Sequence, residues 1–339
     1  MSDGDKFRKE LTDCLRGKGY DVSEAFCVKN NGGKDGIVFH DKSPFSPVFY
    51  TGELLEQHTG GRTIQETAQY LIGKLERTYR TGQIFHYLPS LEKRQDYQKI
   101  RRDVRLCMVQ KSANRELLAE TPHRDYGDFA AVAYWVTGES VEVRILLRQN
   151  VLDMLGTGFE MVFKDAYINM MGEFELKSME EMLYETVAAQ LRAEQMKEVP
   201  ADRYIHRMCQ GTELYLLTHK TGRFGSAAMC YQREMERAAG RAGGDFVIIP
   251  SSIHELLLLP VRRNIPLEAV SELVRRINAG QADQEECLSD TIYIYSQKEK
   301  RILAEREYLQ KIQTGQMNGQ YRKSERAAGE EWEAERCLM

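Results

Sequence analysis

The sequence has no Cys-x-x-Cys pair, no glycine-rich phosphate loop and no apolar run long enough to span a bilayer. Each absence closes off a class of protein. The seven cysteines, at 14, 27, 107, 209, 230, 287 and 337, are odd in number and irregularly spaced. A secreted disulfide framework uses even sets in short chains, so these read as reduced thiols of a reducing cytosol. Most should be small buried hydrophobes, Cys107 within the apolar run 104–109 being the clearest case. Residues Met1 to Lys6 lack the apolar core of a signal peptide. The most apolar stretch, Phe246 to Pro260, is broken by Pro250, Ser251, Ser252, His254 and Glu255. It falls short of the roughly 20 apolar residues that cross a membrane. A cytoplasmic protein with no membrane partner is expected.

Neither Gly-x-x-x-x-Gly-Lys-Ser/Thr nor a Gly-x-Gly-x-x-Gly following a strand occurs, so no cofactor is expected. A basic excess is missing too: 47 Lys and Arg face 51 Asp and Glu, for a net charge of −4. The signs interleave, as in Glu92-Lys93-Arg94-Gln95-Asp96, which is the pattern of solvated helix faces. Nucleic acid is therefore not an expected partner.

What is present is an ordinary globular composition, 42% apolar and 29% charged over 339 residues. A chain of this length buries roughly 75% of its unfolded surface and needs neither disulfide nor metal for stability. Phe7, Leu11, Cys14 and Leu15 fall at helical spacing before Gly17 and Gly19. Short strands at 25–29 and 36–40 flank Asn30-Asn31-Gly32-Gly33-Lys34-Asp35, a hairpin signal. Pro44 and Pro47 leave 48–50 at best an edge strand. Thr63 and Glu66 form a capping box ahead of an apolar face of Ile64, Ala68, Leu71, Ile72 and Leu75. Ser178 and Glu181 repeat the device before Met179, Met182, Leu183, Val187 and Leu191.

Between these lie a strand at 103–109, a short helix at 114–118, a hairpin of 129–136 with 141–147, and helices at 149–155 and 158–170. The near-continuous apolar runs of that hairpin suggest cover on both faces. The C-terminal part reads as strands 213–218 and 226–231, a helix near 232–240, strands 245–249 and 253–259, and a helix opened by Pro266 and closed at Gly280. A strand at 292–295 and a charged helix at 298–312 end the pattern.

The expected fold class is α+β, with mixed, largely antiparallel sheets covered by helices in two α/β lobes. The boundaries are an N-terminal lobe at 1–100, central strands and helices at 101–200, a C-terminal lobe at 201–296, and a charged, partly disordered tail at 297–339.

Three constellations invite a chemical reading. His123-Arg124-Asp125 with Asp128-Phe129 echoes protein-kinase tripeptides, but position 130 is Ala where an Asn is required, and no glycine-rich loop precedes it. A turn into the following strand accounts for it. Ser252, His254 and Glu255 place a nucleophile, a base and an acid in four residues. They are the candidate catalytic residues, against the plainer reading of a tight turn with serines capping backbone groups. No Gly-x-Ser-x-Gly elbow accompanies them, and His254-Glu255 lacks the second histidine of a zinc protease helix. His206 and Cys209, three apart, are the candidate metal ligands, but a structural zinc site wants a second close pair. Lys220, Arg223 and Phe224 read as a solvated turn.

Four phrases carry a resemblance. They are Asn114-Arg115-Glu116-Leu117-Leu118 with Thr121-Pro122-His123, Glu175-Leu176-Lys177-Ser178-Met179-Glu180-Glu181, Leu216-Leu217-Thr218 through Ala228 with Ile249 to Glu255, and Leu288-Ser289-Asp290-Thr291-Ile292-Tyr293. In this order, over about 5–296, the chain resembles a family of uncharacterised proteins, a domain of unknown function found mostly in gut-dwelling Firmicutes. The resemblance implies a bacterial, cytoplasmic protein and transfers no catalytic residue. The expected function is non-enzymatic binding or protein interaction, with the tail as a route to another protein. The alternative is a hydrolase or small-ligand enzyme centred on the 250–255 turn.

Overall fold

The computed structural model describes residues 2–40, 47–81, 97–137, 143–193, 205–206, 209, 213–261, 266–279 and 285–314. The chain divides into two compact units, one of residues 1–105, 112–123 and 132–169, the other of 106–111, 124–131 and 170–339.

In the first unit, α1 (Asp3–Gly17) opens on a capping box of Ser2 and Asp5 and buries Phe7, Leu11 and Leu15. Strands β1 (Val22–Lys29) and β2 (Gly32–Phe39) pair antiparallel, with Val22 opposite Phe39 and Lys29 opposite Gly32. The hairpin is tighter than the expected six-residue turn. Only Asn30 and Asn31 lie between the strands, Asn31 taking φ 61°, a conformation asparagine tolerates. Gly32 to Asp35 are strand instead. At Gly33 the Phe26 ring lies so close that a Cβ would stand 2.4 Å from it. Strand β3 (Val48–Tyr50) joins β2 as an edge.

Helices α2 (Gly52–Thr59) and α3 (Ile64–Thr81) follow. The Thr63 amide donates to the Glu66 carboxylate at 2.8 Å, and the Glu66 amide to the Thr63 hydroxyl at 3.2 Å. Ala68, Leu71 and Leu75 pack with the α1 and sheet residues in one apolar cluster.

The chain continues through α4 (Tyr97–Ile100), β4 (Val104–Gln110), α5 (Arg115–Glu120), β5 (Arg124–Tyr126), β6 (Phe129–Thr137), β7 (Val143–Leu146), α6 (Gln149–Leu155) and α7 (Phe159–Met170). Strands β6 and β7 form the expected hairpin, Tyr134 opposite Leu146. Only β6 is covered on both faces, since Arg144 on β7 is exposed and Ile145 and Leu146 are half-buried. Asp165 of α7, itself buried, accepts from the Tyr97 hydroxyl and from Arg101, each at 2.9 Å.

The second unit is built on β8 (Phe174–Ser178), α8 (Met179–Ala193), β9 (Tyr215–His219), a 3₁₀ turn (Gly225–Cys230), α9 (Gln232–Ala242), β10 (Phe246–Ile249), β11 (Glu255–Pro260), α10 (Leu267–Ala279), β12 (Tyr293–Ser296), β13 (Arg301–Ala304) and α11 (Glu305–Gln313). Its six strands pair antiparallel in the order β13-β12-β10-β11-β9-β8. Val247, Ile249, Ile294 and Leu303 on one face pack against Leu267, Val270 and Val274 of α10 and Tyr308 of α11. Helix α8 opens on the expected capping box, the Glu181 amide donating to the Ser178 hydroxyl at 3.2 Å.

Two expectations fail here, and one strand is new. The strand expected at 226–231 is the 3₁₀ turn, all six of whose residues are buried. Residues 298–312 are not one helix: 301–304 form β13 against β12, and only 305–313 are helical. Strand β8 answers to no expected element, the sequence pattern there showing only the capping box that opens at Ser178. Gly280 and the tail residues 315–339 lie outside the described residues.

Candidate functional site

Residues 250–255 carry the chain from β10 into β11, and the surrounding elements converge on their backbone. The Ser289 amide donates to Pro250 O at 2.9 Å, and the Ile253 amide donates to Glu286 O at 2.8 Å. From the other side, the Gly225 amide and the Thr218 hydroxyl donate to His254 O at 2.9 and 3.0 Å. The Ser226 hydroxyl reaches Ile253 O at 2.7 Å. Two of the phrases singled out by resemblance, 216–228 with 249–255 and 288–293, thus meet at one crossing.

The side chains are committed as firmly. The Ser252 hydroxyl accepts the His254 amide at 3.0 Å, a short turn of the kind serine favours. The His254 ring accepts the Phe224 amide on Nδ1 at 3.2 Å. Its ring proton therefore sits on Nε2, which donates to Glu286 Oε1 at 3.1 Å. Glu255 faces Thr218 across the ladder, and its carboxylate has neither hydrogen bond nor ion pair among the described residues. Burial alone holds its carboxyl above the ordinary carboxylate range. No contact links the Ser252 hydroxyl, the His254 ring and Glu255 into a relay. The partners that fix them, Phe224 and Glu286, are about thirty residues away on either side, and their spacing gave no sign of it. Phe224 itself is buried at φ 55° rather than solvated, and Lys220 pairs with Glu173 at 3.3 Å.

The candidate metal ligands separate in character. His206 is exposed and pairs with Glu180 of α8 at 2.9 Å, while Cys209 is buried. Among the described residues no group of three or more His, Cys, Asp or Glu side chains is placed to hold a metal ion.

Around the kinase-like tripeptide, Asp125 pairs with Lys111 at 2.9 Å, and Gly127 (φ 62°) with Asp128 turns β5 into β6. His123 belongs to a different setting. Its Nδ1 donates to Thr121 O at 2.8 Å, and it lines an open cleft of about 430 Å³ with Leu118, Glu120, Pro122, Gln149 and Phe159. The sequence shows a turn after Pro122, but not the cleft. Gln149 and Phe159 reach it only because α6 and α7 both begin there.

No helix among the described residues is long and apolar enough to cross a membrane. Set against known sequences, residues 4–297 match the pattern of a family of unknown function (DUF5688). Comparison with curated proteins and with solved structures found no match.

Proposed function

The chain belongs to this family of unknown function, and for it we propose a non-enzymatic interaction module that docks an amphipathic helix of another protein on α7. One observation carries the reading. Met161 and Ile168, one heptad apart, are 53% and 52% exposed, on a helix that buries Val162, Phe163, Ala166 and Met170 on its other side. Exposed Lys164 lies between them, with no carboxylate partner among the described residues. Apolar side chains at i and i+7 around a cation form the pattern an incoming helix reads, with an acidic residue of its own set against Lys164. The hydrolase alternative has less support, because the Ser252 and His254 atoms it would use are spent on holding the crossing together.

A photo-crosslinking residue at position 164 of the full chain, expressed in its native cell, tests this. The expected result is a discrete protein adduct that disappears when Met161→Glu and Ile168→Glu are added, with circular dichroism unchanged. A synthetic peptide from the crosslinked helix should then bind the purified chain and fail to bind the double variant. No adduct, or an adduct insensitive to the two substitutions, overturns the reading.

A further inference from the structure

The cleft beside His123 is a separate feature, and its chemistry is one-sided. Its volume of about 430 Å³ lies within the range of sites for small organic molecules. Leu118, Pro122 and Phe159 give it apolar walls, and Phe159 presents a ring held edge-on by Phe163 with centroids 5.7 Å apart. Two of its side chains, Glu120 and Gln149, present unused acceptor oxygens. Glu120 uses one carboxylate oxygen to accept from Arg148 at 2.9 Å, and its other oxygen has no partner. Gln149 spends its amide nitrogen on Asp153 at 2.7 Å, which leaves its carbonyl oxygen unbonded. Among the described residues that line it, Glu120 alone carries a full charge.

A site of acceptors with one carboxylate and an aromatic wall selects a ligand rich in donors. We propose that this cleft binds a small organic cation, an amine or guanidine on a compact apolar or aromatic body. The ammonium or guanidinium is set between the Glu120 carboxylate and the Gln149 carbonyl, and the body lies against Phe159 and Pro122. The site is distinct from the helix-docking stripe on α7, and either can fail without the other.

Isothermal titration of the full-length chain with phenethylamine, agmatine, phenylpropionate and phenylethanol tests the assignment. Saturable binding of at least one of the two cations is expected, with the acid and the alcohol bound at least roughly tenfold more weakly. Glu120→Gln should weaken the cation by roughly tenfold while leaving the thermal midpoint in place, and Phe159→Leu should weaken the aromatic amine more than agmatine. Equal binding of acid and amine, indifference to Glu120→Gln, or no saturable binding of either cation up to millimolar concentration overturns the proposal.

Discussion

The Gly225 amide donates to the His254 carbonyl at 2.9 Å, and a Cβ on residue 225 would stand 2.3 Å from that same oxygen and 2.6 Å from Thr218 Cα. No side chain fits there without moving the backbone of β9 or of the crossing. The approach lets the 3₁₀ turn lie flush against β9 and the crossing, so glycine here is a packing requirement.

Gly225→Ala should therefore cost about 2–3 kcal/mol, the scale of overpacking in a tight interior. Gly73, inside α3 with open space around its Cα, supplies the control. There alanine should stabilise by about 0.5–1 kcal/mol, by raising helix propensity. Urea unfolding of both variants checks the pair, and equal effects of one sign would contradict the geometry.

Glu255 gives a pH dependence. Burial raises its carboxyl above the ordinary range, so the folded chain holds that proton more tightly than the unfolded one. The resulting stability is fully present below the ordinary carboxylate value and is lost as pH rises through the raised one. Glu255→Gln removes this loss. The variant should gain on the parent between pH 4 and pH 7 in chemical denaturation, and a constant difference across that window would refute the account.

The Thr63 cap can be measured alone. Thr63→Ala removes the hydroxyl that accepts the Glu66 amide and should cost about 1 kcal/mol, the ordinary worth of an N-cap. Thr63→Ser, which keeps the acceptor, should lie within about 0.5 kcal/mol of the parent by the same denaturation midpoint.

Two arginines guard a sheet edge. Asp21 O faces β2, since it accepts the His40 amide, so the carbonyls of Val22 and Val28 face outward from β1. Arg16 takes the first at 2.9 Å and Arg148 the second at 2.8 Å. An edge occupied in this way resists pairing with another chain. The double substitution Arg16→Ala with Arg148→Ala should increase self-association in sedimentation velocity, more than either change alone.

Elements whose identity lies in local chemistry were readable from the residues. The Thr63 and Ser178 capping boxes, the Asn30–Asn31 hairpin and the amphipathic α1 and α10 each contain their own signal. Segments decided by distant partners were not. Gly225 to Cys230 is a short apolar run, whose periodicity cannot separate a strand from a buried turn. It was settled by Phe224 in a left-handed conformation and by the crossing at 253–254. Arg301 to Ala304 looked like the start of a charged helix because the strand it pairs with supplies the ordering. At the candidate site, Ser252, His254 and Glu255 were visible as a cluster, but their roles depended on Phe224 and Glu286. The lining of the cleft is assembled from three separate helix ends, those of Glu120, Gln149 and Phe159.

The last strand and helix change what counts as the smallest chain able to fold. The family pattern stops at residue 297, yet Leu303 and Tyr308 sit in the core cluster of the six-stranded sheet, and the Tyr308 hydroxyl donates to Asp245 at 2.9 Å. A fragment cut at the family boundary would lose two core side chains and leave β12 as a bare edge. Its insolubility would be a consequence of where it was cut, and a deletion meant to probe the C-terminal tail has to begin after residue 314.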